Sequence, residues 1–157
     1  MPLVAEPNER HKEPAREFRA ELRGSNEVPL TPSAAQGSLE LTVNDTESVH
    51  FVLEYAGLLT VVAASHIHVG QPNVNGGVTV FLCGGGGRPA CPQGAGTVTG
   101  DFTANDVLAL ATQQLELSNL AKLLSAIRAG QTYANLHTAT SPGGEIRGQI
   151  SAEKKED

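Results

Sequence analysis

Two histidines separated by one residue are the first candidates for chemistry in this chain of 157 residues. They are His66 and His68, in the run SHIHVG at residues 65–70. Successive side chains of an extended strand point to opposite faces, so the two imidazoles share one face and Ile67 lies on the other. This spacing allows both rings to bind one metal ion, and it predicts a candidate metal site on a strand face.

A third histidine, His137, lies in the run YANLHTATSPGGEIRGQI at residues 133–150. Its alternating pattern predicts two strands, each with one apolar and one polar face. The polar faces carry Tyr133, Asn135 and His137 on the first strand and Glu145, Arg147 and Gln149 on the second. A three-residue loop at 142–144 would keep the polar sets together and pair His137 with Gln149. In that register His137 and Arg147 are diagonal neighbours on one face.

Together, His66, His68 and His137 could supply three imidazole nitrogens to one metal ion. Three protein ligands leave one coordination position open, as in catalytic rather than structural sites. Imidazole suits both copper and zinc, and copper(II) binds more tightly in the usual affinity order. The pattern therefore predicts copper, with zinc as the alternative. His50 falls on the face of its strand opposite the apolar residues, so we expect it to face solvent.

The elements that must position these histidines are short β-strands. Alternating apolar residues at 39–43 and 49–55, joined by the turn residues Asn44 and Asp45, predict a hairpin with one buried face. Further strand-like runs occupy residues 61–69, 78–82, 96–102, 132–138 and 145–151. Seven or eight short strands separated by Gly, Pro or Asn predict a mainly β fold, a Greek-key antiparallel sandwich or barrel.

One segment, around residues 104–129, departs from the strand pattern. Thr103 followed three residues later by Asp106 is typical of a helix N-terminus and predicts a helix over 104–114. A second helical pattern begins at Ser118 and ends near Gly130. We expect a small helical insertion beside the sheets.

Charge and hydropathy exclude several classes of function. The net charge is −6, and Lys and Arg form no dense cluster, which excludes nucleic acid and disfavours an anionic membrane surface as partner. Apolar runs fall short of the roughly 18–20 residues that a transmembrane helix needs. Residues 1–17 and 152–157 are predicted to be a disordered tail and a charged tail on either side of one domain.

Cys83 and Cys91 bracket the run CGGGGRPAC, whose glycines and proline suit a loop. A pair closing a short loop is typical of a disulfide in an oxidising compartment, and two free thiols in a reducing cytosol are the alternative. The N-terminus lacks the apolar segment of a signal peptide. Because of the cysteine pair, we nevertheless expect an exported protein, secreted or periplasmic, whose leader is absent from this sequence.

Four runs resemble the CHRD domain, named after chordin: FRAELRGSNEVP at 18–29, ASHIHVG at 64–70, NGGVTVFL after it, and the C-terminal YANLHTATSPGGEIRGQI. The resemblance covers residues 18–151 and is closest to the single-domain microbial members. It implies an exported Greek-key β-sandwich. The motif histidines of the family fall here on His66, His68 and His137.

A second resemblance is to copper/zinc superoxide dismutases, which also carry a His-x-His pair on a strand of a Greek-key barrel and an arginine beside the copper. Those roles would fall on His66, His68 and Arg147. The sequence differs from these enzymes because it has no zinc loop rich in His and Asp and no matching fourth copper histidine. The likeness is therefore one of fold and residue arrangement.

Two functional hypotheses follow. In the first, the protein binds copper through His66, His68 and His137, and in its sharper form it dismutates superoxide while Arg147 attracts the anionic substrate. In the second, the histidines belong to a polar hydrogen-bond network of a non-enzymatic binding or structural module. The network, or the support of the ligands, would involve Asn135, Glu145, Arg147 and Gln149. A homodimer is also expected, and metal affinity should fall as the pH drops through roughly 6.

Overall fold

The computed structural model describes residues 13–45 and 47–154 as nine β-strands, one α-helix and three single-turn 3-10 helices. The strands are β1 (Glu17–Arg23), β2 (Gln36–Val43), β3 (Val49–Ala56), β4 (Val62–Val69), β5 (Gly77–Cys83), β6 (Gly96–Phe102), β7 (Thr132–Thr138), β8 (Ile146–Gln149) and β9 (Ser151–Ala152). The helix α1 is Leu120–Arg128. Of the predicted tails, residues 1–12 and 155–157 lie outside the described part of the chain.

Antiparallel pairing joins the strands into one sheet in the order β5-β4-β7-β8-β1-β2-β3-β6, with β9 added beside β1. The sheet curls into a nearly closed barrel, which confirms the predicted mainly β fold. The core is inside this barrel, because one face of most strands carries apolar residues with almost no exposed surface. The predicted hairpin is present as β2 and β3, with Leu39 opposite Leu53 and Leu41 opposite Phe51.

The helical insertion is present, but the helix predicted over residues 104–114 is wrong. This segment has two 3-10 turns, Ala104–Asp106 and Ala111–Gln113. Between them Leu108 donates its N–H to Thr79 O of β5 (2.8 Å) and accepts from Thr79 Oγ1 (3.1 Å). These bonds to the sheet use backbone groups that a helix would need for itself.

The second helix, α1, is confirmed and begins at Leu120, two residues after the predicted start. Asn119 rather than Ser118 is its N-cap, because Asn119 Oδ1 accepts from Lys122 N at 3.0 Å. The helix buries Leu120, Leu123 and Ile127 against the core. Gly130, at φ +71°, follows its C-terminus as predicted.

The register predicted for the hairpin of β7 and β8 is wrong. Gln149 lies opposite Tyr133 rather than His137, and Arg147 lies opposite Asn135. The loop is longer than expected because Ala139 N donates to Val61 O beside β4. Hydrogen bonding between the two sides of the hairpin resumes where Glu145 N donates to Leu136 O at 2.8 Å. The shift is an even number of residues, so Arg147 and Gln149 of β8 keep their predicted face.

Cys83 and Cys91 form the predicted disulfide, which excludes the alternative of two free thiols. The bond joins the end of β5 to the loop that leads into β6. Since β5 and β6 are the two edges of the sheet, the disulfide lies where hydrogen bonding leaves the barrel open. Within residues 13–45 and 47–154, no helix is long and apolar enough to span a membrane.

Candidate metal centre

The three predicted histidines come together on the outer face of two neighbouring strands. In β4, Ile67 is fully buried in the core, so His66 and His68 point outwards. In β7, His137 lies on the same outer face, two residues beyond the position opposite His66. The period of two in β4 and the pairing of β4 with β7 therefore place the three rings side by side.

Donor nitrogens of the three imidazoles converge. One ring nitrogen from each of His66, His68 and His137 lies within 4.8 Å of the others. The closest pair is His66 Nδ1 and His137 Nε2, 3.1 Å apart. Although the rings lie outside the barrel core, His66 is only 9% exposed and His68 only 6%, so the cluster is largely desolvated.

Backbone carbonyls fix which nitrogen of two rings is available. His68 Nδ1 donates to Gly76 O at 3.0 Å, and His137 Nδ1 donates to Pro142 O at 2.9 Å. A carbonyl oxygen can only accept, so each Nδ1 carries the hydrogen and each neutral ring presents the lone pair of Nε2 to the cluster. A backbone acceptor on the outer nitrogen is the usual arrangement around metal-binding histidines.

Aromatic rings hold two of the imidazoles in place. The His66 ring meets Phe81 edge to face, with centroids 4.4 Å apart. The His68 ring stacks on Tyr133 at 4.6 Å with an angle of 7° between the planes. Tyr133 OH is itself fixed because it accepts from Gly76 N at 2.9 Å. Both rings of the His-x-His pair are therefore held by packing as well as by hydrogen bonds.

The pKa values of all three imidazoles are lowered. Burial and the neighbouring rings of His137 and His68 lower the pKa of His66 to about 3. Burial is also the main cause that lowers the pKa of His68 and of His137. His66 therefore stays neutral, the form that binds a metal ion, well below pH 6, and the other two rings stay neutral at lower pH than an unperturbed histidine does. The pH at which protons should compete with a metal is consequently lower than the value of roughly 6 expected from unperturbed histidine.

This lowering predicts how the stability of the metal-free protein depends on pH. Below pH 6.5 the unfolded chain takes up a proton on His66 that the folded protein does not accept until about pH 3, so the free energy of unfolding falls as the pH falls. Relative to a His66→Gln variant, the wild type should lose about 2 kcal/mol between about pH 7.5 and about pH 5. Urea unfolding of both proteins at the two pH values measures the difference, and equal losses in both would contradict the prediction.

Asn135 is at the centre of the cluster. Its side-chain Oδ1 lies 2.8 Å from His68 Nε2 and 3.0 Å from His137 Nε2. The residue is 1% exposed and lies directly opposite His66 in the pairing of β4 with β7. Of the predicted supporting residues, this one is in direct contact with the imidazoles.

Glu145 and Gln149 make their hydrogen bonds elsewhere. The Glu145 carboxylate accepts from Ser33 Oγ at 2.7 Å and from Thr138 Oγ1 at 2.8 Å, and so ties the loop after β7 to the segment before β2. Gln149 Nε2 donates to the carbonyls of Gly70 and Gly130. Both side chains fasten loops around the site rather than the ligands themselves.

Arg147 is buried and fully engaged by the protein. Its side chain is 5% exposed, and Nε donates to Glu27 Oε2 at 3.1 Å. Its terminal nitrogens donate to Val74 O and to Asn75 Oδ1, and the guanidinium lies 4.2 Å from the centre of the Tyr133 ring. Attraction of an anion from solvent needs an exposed charge, so this geometry gives Arg147 a structural role instead.

Glu27 is a site residue that the sequence analysis did not assign. It is 4% exposed, and burial raises the pKa of its carboxyl, while Arg147 and, more weakly, the Asn135 amide lower it. Glu27 therefore links Arg147 to Asn135 beneath the histidines. The sequence feature that pointed to Glu27 was the run NEVP, which belongs to the first motif of the CHRD resemblance. This run gives no local reason for its glutamate to be buried.

Comparisons with known proteins agree with the fold and with the family resemblance of the sequence. The family model of the CHRD domain matches residues 18–150. Two solved structures of Candida albicans superoxide dismutase 5, one described as the Cu(II) form and one as a mutant, each match with a TM-score of 0.54 at 11% identity, over 91% of this chain and 95% of theirs. At this identity the likeness concerns the fold. The search of curated proteins found no match.

Proposed function

The chain belongs to the CHRD domain family, and we propose that it is an exported copper-binding protein whose ligands are His66, His68 and His137. The observation that carries the proposal is the convergence of three imidazole nitrogens within 4.8 Å. Export is supported by the disulfide between Cys83 and Cys91, because such bonds persist in oxidising compartments.

The chemistry of the donor atoms supports a cation at this point. Neutral His68 and His137 both direct the lone pair of Nε2 towards the cluster, and Asn135 Oδ1 adds a further acceptor between them. Acceptors that face one another without hydrogens repel, and a cation removes that repulsion. The lowered pKa values make protons poor candidates, which supports a metal ion at this point.

Copper is favoured over zinc, the alternative, by the affinity order for imidazole ligands. The fold likeness to a superoxide dismutase described as its Cu(II) form adds support. Bound copper would supply one-electron chemistry, which suits dismutation of two superoxide ions to O2 and H2O2 with the uptake of two protons. The protein would hold the ion in neutral ligands and keep the His66 side dry with Phe81. The expected homodimer stays a prediction.

Copper titration of protein purified without a histidine tag tests the binding. We expect one Cu(II) per chain by elemental analysis, with hyperfine coupling from three imidazole nitrogens in the electron paramagnetic resonance spectrum. Failure to retain stoichiometric copper or zinc after loading and desalting would overturn the proposal. Superoxide consumption measured before and after chelation tests dismutation, and a rate that does not depend on the metal would remove that part alone.

The alternative is a structural module in which the same residues form a polar network. One observation favours it: the outer nitrogens of His68 and His137 and the Arg147 guanidinium are all bonded within the protein. Under this alternative, replacing the histidines lowers the stability of the protein and leaves its metal content unchanged. The copper titration therefore decides between the two.

A further inference from the structure

We propose that Asn135 is a fourth metal ligand, bound through its side-chain Oδ1, and that it favours copper(II) over copper(I). The inference rests on the proposed function, because it concerns the same metal ion. It goes further by completing the three-histidine set with an amide oxygen.

The spacing of the donor atoms is the first argument. Two atoms bound to one ion at about 2.0–2.1 Å are about 2.8–3.4 Å apart when their bonds are at right or tetrahedral angles. Asn135 Oδ1 lies 2.8 Å from His68 Nε2 and 3.0 Å from His137 Nε2, and His66 Nδ1 lies 3.1 Å from His137 Nε2. The oxygen is thus spaced from His68 and His137 as His66 is from His137.

The two imidazoles offer no hydrogen to Asn135 Oδ1. His68 and His137 each use their Nδ1 hydrogen on a backbone carbonyl, so the two contacts with Oδ1 join lone pairs when the rings are neutral. With Oδ1 on this side of the amide, an ordinary hydrogen bond does not explain such contacts. A cation shared by Oδ1 and both Nε2 atoms does.

The third argument is that the protein holds the amide oxygen towards the imidazoles. Asn135 lowers the pKa of the Glu27 carboxyl, as an amide N–H turned towards that carboxylate would. Turning the amide over would place Oδ1 against a carboxylate, where two acceptors repel. Glu27 is in turn fixed by its ion pair with Arg147 at 3.1 Å. Glu27 is therefore a positioning residue for the amide.

An amide oxygen has a chemical consequence for the oxidation state. Oxygen donors suit copper(II), whereas copper(I) prefers softer ligands. Asn135→Ala should therefore weaken copper(II) binding about tenfold or more while changing copper(I) binding about threefold or less. A tenfold change in the ratio of the two affinities corresponds to a rise of about 59 mV in the reduction potential. A residue that only positions the histidines would weaken both oxidation states together.

Competition titrations with both oxidation states, on the full chain, test the inference. Asn135→Asp, which keeps an oxygen donor, should restore preference for copper(II). His50→Ala, which removes an exposed imidazole from β3, should leave both affinities unchanged. Equal weakening of both oxidation states by Asn135→Ala, or no weakening, would overturn the inference. A wild type that binds neither would instead overturn the proposed function.

A crystal structure of the copper-loaded wild type gives a second test that needs no variant. We expect Asn135 Oδ1 in the coordination sphere with His66, His68 and His137. An oxygen farther than about 3 Å from the ion, well beyond a metal–oxygen bond of about 2.0–2.2 Å, would contradict the inference even when copper is bound.

Discussion

Replacing His68 by alanine is expected to weaken copper(II) binding by a factor on the order of 10² or more. Changes to residues that only support the ligands of a metal site usually cost about 10–100-fold, and loss of a ligand should cost at least as much. The variant removes one nitrogen from the three that lie within 4.8 Å and leaves a gap beside Tyr133, on which the ring stacks. Water can enter such a gap but cannot replace a ring nitrogen already fixed by Gly76 O at 3.0 Å. Competition titration against a chelator of known affinity measures the loss.

His50→Ala is the matched control for that experiment. His50 is on β3, its side chain is 45% exposed as the sequence predicted, and Nδ1 lies 3.1 Å from Asp101 Oδ1. Removing this imidazole should leave the copper affinity unchanged, whereas His137→Ala should reduce it as His68→Ala does. If all three variants bind copper equally well, the ion is bound elsewhere and the three-histidine site is wrong.

The histidine cluster could be predicted because a strand has a period of two. That period places His66 and His68 on one face without any knowledge of the rest of the fold. The third member, His137, needed a topology in which β4 and β7 are neighbours, which residue alternation does not provide. The CHRD resemblance supplied it, because the family motif includes all three histidines.

Features that depend on distant backbone contacts could not be predicted. The loop after β7 is lengthened by a bond from Ala139 N to Val61 O, and the helix expected after Thr103 is replaced by bonds between Leu108 and Thr79. Each of these bonds joins segments far apart in the sequence. Local propensity describes the competing structure correctly, but the tertiary hydrogen bonds stabilise another one.

The role of Arg147 shows the same limit in electrostatic terms. An alternating strand pattern places its side chain on the polar face correctly, yet it does not reveal that residues 24–31 and 70–76 cover that face. Asn26 donates to Arg147 O, and Thr31 donates to Glu145 O. Asn75 donates to Val28 O and accepts from the Arg147 guanidinium. Around Arg147 the predicted polar strand face is therefore an interior layer.

Arg147→Met is expected to lower the free energy of unfolding of the metal-free protein by about 3–5 kcal/mol, the cost of leaving one member of a buried ion pair alone. Glu27 would then keep a carboxylate that is 2% exposed at its side chain and has lost the guanidinium 3.1 Å away. The variant also loses the contact with the Tyr133 ring at 4.2 Å. Urea unfolding at neutral pH measures the change.

The exposed pair formed by Arg19 and Glu40 provides the comparison that isolates burial as the cause. Both side chains are at least 41% exposed, so Arg19→Met should cost less than about 1 kcal/mol. Adding Glu27→Gln to Arg147→Met removes the stranded charge and should recover part of the lost stability. Equal costs for Arg147→Met and Arg19→Met would show that the buried pair does not stabilise the layer beneath the histidines, and the positioning of Asn135 by Glu27 would lose its support.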